Sequence, residues 1–530
     1  MSLKKVTTSS GLNQEKHSKP FMKQINAAPA LLVMAVLLAF GGAIAHAQYW
    51  TPVTTQFPVG IALQLTDGTI LIQEFNTPNW WKLTPTEAGT YATGQFIPVA
   101  SFPASMNYAP LYFASAVLPD GRAIVEGGEF NYGTSPVSSY TTKGAIYDPK
   151  TNVWTPVNPP SGWTTIGDAQ SVVLPDGNFM LANCCDLPAQ AAVLNAATLT
   201  WTVLNSTSGY QFKADGNDEE GWTLLPSGKV LTIDTYTGVP YDPNGMNSEI
   251  YDPIGGFWSS AGNTEQQLWD SRAACGGASS HEIGPAVLLP NGNVFATGAN
   301  TCGRSGHTAI YNTMTGVWTA GPDIPAGNDI ADGPAALLPN GHVLVDTNPG
   351  YGNNPSTLYE FDGTRFLSIP QPLGLNPSNT GGARMLITAA GSVLLTHLGS
   401  NNIWFYHPSG TYEPSWQPHI CPGCYPAVGY VGSTYTVSGA QFNGLSQDSA
   451  FGDDAQSATN YPLVQITNDA TGHKFFARTH NFSTMAVATG SLSVSCEFDI
   501  LPGTEPGDST MVVIANGIPS NTVVIIIKQP

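Results

Sequence analysis

One hairpin signature recurs seven times along this 530-residue chain, and it constrains the fold more than any other feature. Its turns are Thr66-Asp67-Gly68, Pro119-Asp120-Gly121, Pro175-Asp176-Gly177, Pro226-Ser227-Gly228, Pro290-Asn291-Gly292, Pro339-Asn340-Gly341 and Ala389-Ala390-Gly391. Successive turn glycines lie 53, 56, 51, 64, 49 and 50 residues apart. Each turn sits between two apolar runs, as in ALLPNGHVLV around Asn340. Glycine at the last turn position supplies the positive φ that a tight hairpin needs. A fixed period near fifty residues marks an array of units that cannot bury their apolar faces alone.

A second tag follows most of these hairpins: YDPKTNVW from Tyr147, LNAATLTW from Leu194, YDPIGGFW from Tyr251, YNTMTGVW from Tyr311 and YEFDGTRF from Tyr359. An aromatic or Leu opens each tag, a polar turn fills it, and Trp or Phe closes it. Each repeat therefore reads as two hairpins, or four strands, which is one propeller blade. The aromatic pair is expected to pack between blades. The stretch YWTPVTTQFP from Tyr49 resembles the blade-closing WTPVNPP from Trp154, and is expected to tie the first blade to the last. With 56 Gly, 42 Pro and only 10% charged residues, the composition disfavours long helices and agrees with an all-β chain.

The N-terminus reads as a leader and signal peptide over residues 1–47. Met22-Lys23 precede an apolar run from Ala30 to Ile44, and Ala45-His46-Ala47 forms an A-x-A site. An uncleaved N-terminal anchor is the alternative. Either reading puts the remainder outside the cytoplasm: secreted, periplasmic or on the cell surface. The net charge of −19 argues against nucleic acid and anionic membrane as partners. Seven cysteines in an exported chain read as mainly disulfides. The candidates are Cys184 and Cys185, Cys275 and Cys302, and Cys421 and Cys424, with Cys496 left as a buried thiol.

The period stops after Trp416. The stretch 419–425 reads as a linker between a propeller over 48–418 and a further domain over 426–530. That domain shows alternating patterns in STYTVSG, YPLVQITND, HKFFARTH, STMAVAT, SLSVSCEFDI, STMVVIANG and NTVVIII, as in an immunoglobulin-like β-sandwich.

The repeat resembles the kelch repeat, with Gly127-Gly128 matching its paired glycines. The C-terminal segment, with Thr479-His480 after a strand and Asn516 to Ser520 reading NGIPS, is similar to that of the galactose oxidase and glyoxal oxidase family. The resemblance implies a seven-bladed kelch-type β-propeller followed by an immunoglobulin-like β-sandwich. It also implies one copper held by two tyrosines and two histidines, one tyrosine cross-linked to a cysteine. In that family the propeller ligands stand at the start of innermost strands, at the mouth of the central channel. The same register here reads Val59, Tyr112, Asp168, Glu219, Ile283, Asp332 and Gly382. The Tyr-His pair would fall on Ala331-Asp332 or Glu282-Ile283, the cross-linked tyrosine on Asp168, and its cysteine near Tyr112 or Phe113. Only His480 matches by motif, with His281 two residues off the register.

Acids stand where copper ligands would be. Tyr112, Asp168, Glu219, Glu282 and Asp332 are the candidate mouth residues, with Asp218, Glu220 and Asp329 nearby in sequence. Carboxylates gathered around one axis repel unless cations or protons compensate. Four readings stay open: a calcium-like ion, a sugar or other polar ligand, an acid/base pair for glycoside chemistry, or acids that cap backbone amides and are solvated. The expected role is a binding module for a carbohydrate or a cell-surface protein. The alternative is a divergent copper oxidase using His480 and His281.

Overall fold

The computed structural model describes residues 47–133, 140–184, 189–205, 213–235, 245–271, 280–299, 305–375, 379–452, 454 and 457–530. Residues 1–46 of the expected leader, together with Cys185, Cys275 and Cys302, lie outside the described residues.

Each hairpin signature becomes the two inner strands of a four-stranded antiparallel blade, and seven blades make the propeller. Blade two shows the pattern: Ala114–Val117, Ala123–Glu126, Gly144–Asp148 and Val153–Val157, paired in sequence order. The seven turn glycines all take positive φ, between 76° and 87°. The inner strands are buried on both faces, which is why they read as unbroken apolar runs. No α-helix occurs among the described residues; the chain is all-β.

The second tag forms the third and fourth strands, and its two end residues face each other across the ladder. Tyr147 pairs with Trp154, Leu194 with Trp201, Tyr251 with Trp258 and Tyr311 with Trp318. The tryptophans then reach the preceding blade. Trp154 donates its indole N–H to Ala100 O at 3.0 Å, Trp201 to Asn158 O at 2.8 Å, and Trp318 to Ser248 Oγ at 2.9 Å. Trp80, which looks exposed in sequence, is buried against Trp154 at 5.0 Å between ring centroids.

The ring closes through its N-terminal strand. Tyr49–Thr54 pairs antiparallel with Asn402–His407 and forms the outermost strand of blade seven. This ties chain segments about 350 residues apart into one sheet.

The C-terminal region forms a nine-stranded sheet. Two expectations are corrected here. The span 419–425 opens with a strand, His419–Ile420, that pairs with Thr434–Ala440, so it belongs to this region. STMAVAT from Ser483 is not a strand; Phe482 and Met485 instead donate backbone N–H groups to Pro119 O and Pro175 O of two hairpin turns. A segment with no alternation, SQDSAFGDD, also does something that its composition hides. From Gln447 it runs up the propeller axis: Gln447 Oε1 accepts from Leu224 N at 2.7 Å, and Ser449–Ala450 pairs with the inner strand of blade six. It then returns along blade one, where Ser457 Oγ donates to Ala62 O at 3.2 Å.

Candidate functional site

The channel mouth lies at the start of the innermost strands, opposite the hairpin turns. At four positions there, the chain enters the blade through a residue in the left-handed region: Tyr112 (φ 51°), Glu219 (59°), His281 (66°) and Asp332 (55°). Backbone in this region is strained for non-glycine residues and tends to mark functional sites. Tyr112, Glu219 and Asp332 all line the cavity.

That cavity measures about 220 Å³. Its walls include all five mouth residues read from the sequence: Tyr112 from blade two, Asp168 from blade three, Glu219 from blade four, Glu282 from blade five and Asp332 from blade six. Three further residues complete it: Glu129, Phe130 and Tyr351. Glu129 and Tyr351 sit in loops that follow the second strand of blades two and six, and Phe130 opens the short strand Phe130–Asn131 that pairs with Pro110–Leu111. A hairpin's second strand returns to the end where the first began, so its exit loop faces the same mouth. That antiparallel geometry is the signal in the sequence that the strand-start register omits. Glu129 N donates to Tyr112 O at 2.9 Å, which fastens loop to strand.

The axial segment passes beside the mouth without lining the cavity. Gly452 passes so close to blade four that a Cβ added at Gly221 would lie 2.5 Å from its carbonyl oxygen. Beyond it Asp454 is fully buried, 3.7 Å from the Arg384 guanidinium. Arg384 in turn lies 3.5 Å from the Phe451 ring centroid and 5.4 Å from that of Tyr112.

The acids do not behave as ordinary surface carboxylates. Burial pushes Asp332 up to about 7, against the pull of Arg384 and with the push of Asp454 and Glu129. Glu129 rises to about 7 for the same first reason, reinforced by Asp454 and Asp218. Asp168 is raised well above the carboxylate range by burial and then by Glu129, Asp218 and Asp454. Its Oδ1 is buried without a hydrogen-bond partner. Glu219 is raised by burial, by Glu282 and by Asp168, and its side chain is hydrogen-bonded to Glu282. Two carboxyl groups in such contact share a proton. Tyr351 is also hydrogen-bonded to Glu282, and its phenol is held protonated by burial and the acids.

The remaining candidates lie elsewhere. Glu220 turns away from the mouth into a buried cluster in which Lys213 Nζ meets Asp215, Glu220 (3.0 Å), Asp234 (2.8 Å) and Glu249 (3.4 Å). Asp329 Oδ1 accepts from Gly350 N at 3.1 Å and does not line the cavity. His281 stacks on Trp269 at 4.9 Å, with Nδ1 3.0 Å from Thr235 O. His480 ends the strand Lys474–His480 and pairs with Asp499 at 3.1 Å. Its neighbour Thr479 donates N–H to Thr66 O in the first hairpin turn. The strand Ala114–Val117 and its flanking residues separate the turn at Pro119 from the mouth at Tyr112, roughly 20 Å at about 3.3 Å per residue. His480 and the cavity are thus at opposite ends of the channel, and the C-terminal residue that reaches the mouth level is Asp454. Cys421 and Cys424 form a disulfide, Cys184 is disulfide-bonded to a cysteine outside the described residues, and Cys496 is a free buried thiol.

No protein-family model matches the sequence, and no curated protein is similar to it. Among solved structures, a fungal alcohol oxidase of the AA5 family in complex with copper superposes with a TM-score of 0.51. The match covers 91% of this chain and all of that one, at 14% identity. This chain has that fold. Among the described residues, the cavity lining offers no imidazole to a copper ion. Cu(II) sites draw on imidazole nitrogens and oxygen donors. All eight histidines beyond His46 are described, and none lines the cavity. Asp168, Cys184 and Asp218 do converge, but the Cys184 sulfur is committed to a disulfide.

Proposed function

We propose that the protein is an exported binding module and that the channel mouth is its binding site, taking a carbohydrate or a similarly hydroxylated small ligand. One observation carries this reading: five carboxyl groups and two phenols line a single cavity of about 220 Å³. A volume below the usual ~300–1,000 Å³ of drug-sized sites suits one sugar ring. Carboxyl groups poised near neutrality offer both donors and acceptors, which matches the mixed character of sugar hydroxyls. Phe130 and Tyr351 add apolar faces. The disulfides support a location outside the cytoplasm. The test is a glycan array with the purified protein. Binding that is lost in Glu219→Gln and Asp332→Asn supports the reading; no signal on any glycan overturns it.

The shared fold favours a second reading, a divergent copper-dependent oxidase. Copper titration followed by EPR separates the two. The binding reading expects no stoichiometric Cu(II) signal, and a signal abolished by His480→Ala or His281→Ala would replace it.

A further inference from the structure

The cavity is one-sided in charge. Among the described residues, no lysine, arginine or histidine lines it, while five carboxyl groups do. Arg384, a fixed cation 5.4 Å from the Tyr112 ring, is engaged by Asp454 and by the Gly381 and Ala383 carbonyls. A neutral sugar would leave this excess to be held down by protons alone. Two kinds of ligand relieve it: a bare metal ion, or an organic ligand that carries a cation.

The spacing of the acids distinguishes these. A calcium ion gathers oxygens at about 2.3–2.6 Å from its centre. Among the described residues, no three of the cavity's five carboxyl groups bring oxygens within 4.8 Å of one another. The acids stand around a space the size of a small molecule, not around a point. Phe130 and Tyr351 between them offer aromatic faces, which attract ammonium groups. Asp168 Oδ1, buried and without a partner, is an acceptor waiting for a donor.

Resting on the carbohydrate reading above, we infer that the ligand of this mouth is a sugar bearing a free protonated amine. The ammonium sits among Asp168, Glu219 and Glu282, and the ring hydroxyls meet Asp332, Glu129 and the tyrosines. Glu219 faces Glu282, Asp168, Asp218, Tyr351 and Tyr140, all acidic or phenolic. An arriving ammonium supplies the positive charge that the proton shared by Glu219 and Glu282 now supplies. Binding therefore releases protons to the buffer.

Isothermal titration calorimetry at pH 7 on the purified protein tests this with glucosamine, galactosamine, their N-acetyl forms, glucose and calcium chloride. A charged hydrogen bond contributes about 1.5–3 kcal/mol, so each amine should bind about tenfold or more tighter than its N-acetyl form. Repeating the titration in buffers of different ionisation enthalpy should reveal proton release. Asp168→Asn and Glu219→Gln should each erase the amine preference, with melting curves confirming folded protein. Equal affinity for amine and N-acetyl forms overturns the inference and leaves the carbohydrate reading standing. Calcium binding without amine binding overturns it in favour of an inorganic ion. Silence with all the sugars overturns both readings.

Discussion

The Arg384 guanidinium lies 3.5 Å from the centroid of the Phe451 ring, joining blade seven to the segment that climbs the channel from the C-terminal region. This contact holds the axial segment beside the cavity, because the same guanidinium faces Asp454 and the cavity residue Tyr112. Phe451→Ala is expected to cost about 3–5 kcal/mol, the usual range for a buried phenylalanine. Arg384→Ala removes the cation 3.7 Å from the buried Asp454, a loss in the same range of about 3–5 kcal/mol. Urea denaturation measures both; a change below about 1 kcal/mol in either would mean the axial segment is not held this way.

Lys213 is a lone cation among four carboxylates, with its side chain fully buried. Lys213→Met removes the attraction and keeps the volume. The remaining acids would have to take up protons or unfold the surrounding loops. A loss of about 3–5 kcal/mol is expected, smaller at pH 5 than at pH 8. Equal losses at the two pH values would contradict the electrostatic explanation.

Acidification is expected to stabilise the protein down to about pH 5. Asp332, Glu129, Asp346 and Glu249 are raised to about 7 and Asp215 to about 6, in each case chiefly by burial. Between the unfolded values near 4 and these raised values, the native chain binds more protons than the unfolded chain. The unfolding free energy therefore falls as pH rises through this window. Asp499 and Asp362, lowered to about 2 by hydrogen bonds that outweigh burial, act in the other direction only below about pH 4. His397 and His407, lowered by burial, oppose the trend. Thermal melts should give a lower Tm at pH 8 than at pH 5, and a Tm rising across that range would refute the sign.

Ring closure gives a fourth prediction. Trp50 packs on Tyr406 at 4.7 Å and donates its indole N–H to Pro370 O at 2.7 Å. Trp50→Ala should cost toward the lower end of ~3–5 kcal/mol, since the side chain is half-buried. Deleting 47–54 should lower the Tm further, because blade seven then exposes a strand edge. Proteolysis rates of the two variants follow the same order if the ring opens at this seam.

The sequence by itself determined the ring. Seven turn glycines, the apolar runs beside them and the Tyr–Trp tags are local patterns, and period-two alternation with a fixed spacing leaves a propeller as the way to bury them. Its register put Tyr112, Asp168, Glu219 and Asp332 just before the innermost strands, with Glu282 beside Ile283, and these five residues line one cavity. Tertiary structure decided what surrounds them. Glu129 and Tyr351 join the mouth because antiparallel strands return to their starting end, and Glu220 leaves it because its side chain turns to Lys213. His480 matched a motif yet stands at the far end of the channel, while Asp454, in a stretch with no strand pattern, sits beside the cavity. A segment that threads an axis meets several blades in turn, here four, six and one, instead of lying along a single sheet. Its place therefore leaves no periodic trace in the chain, and only the closed ring reveals it.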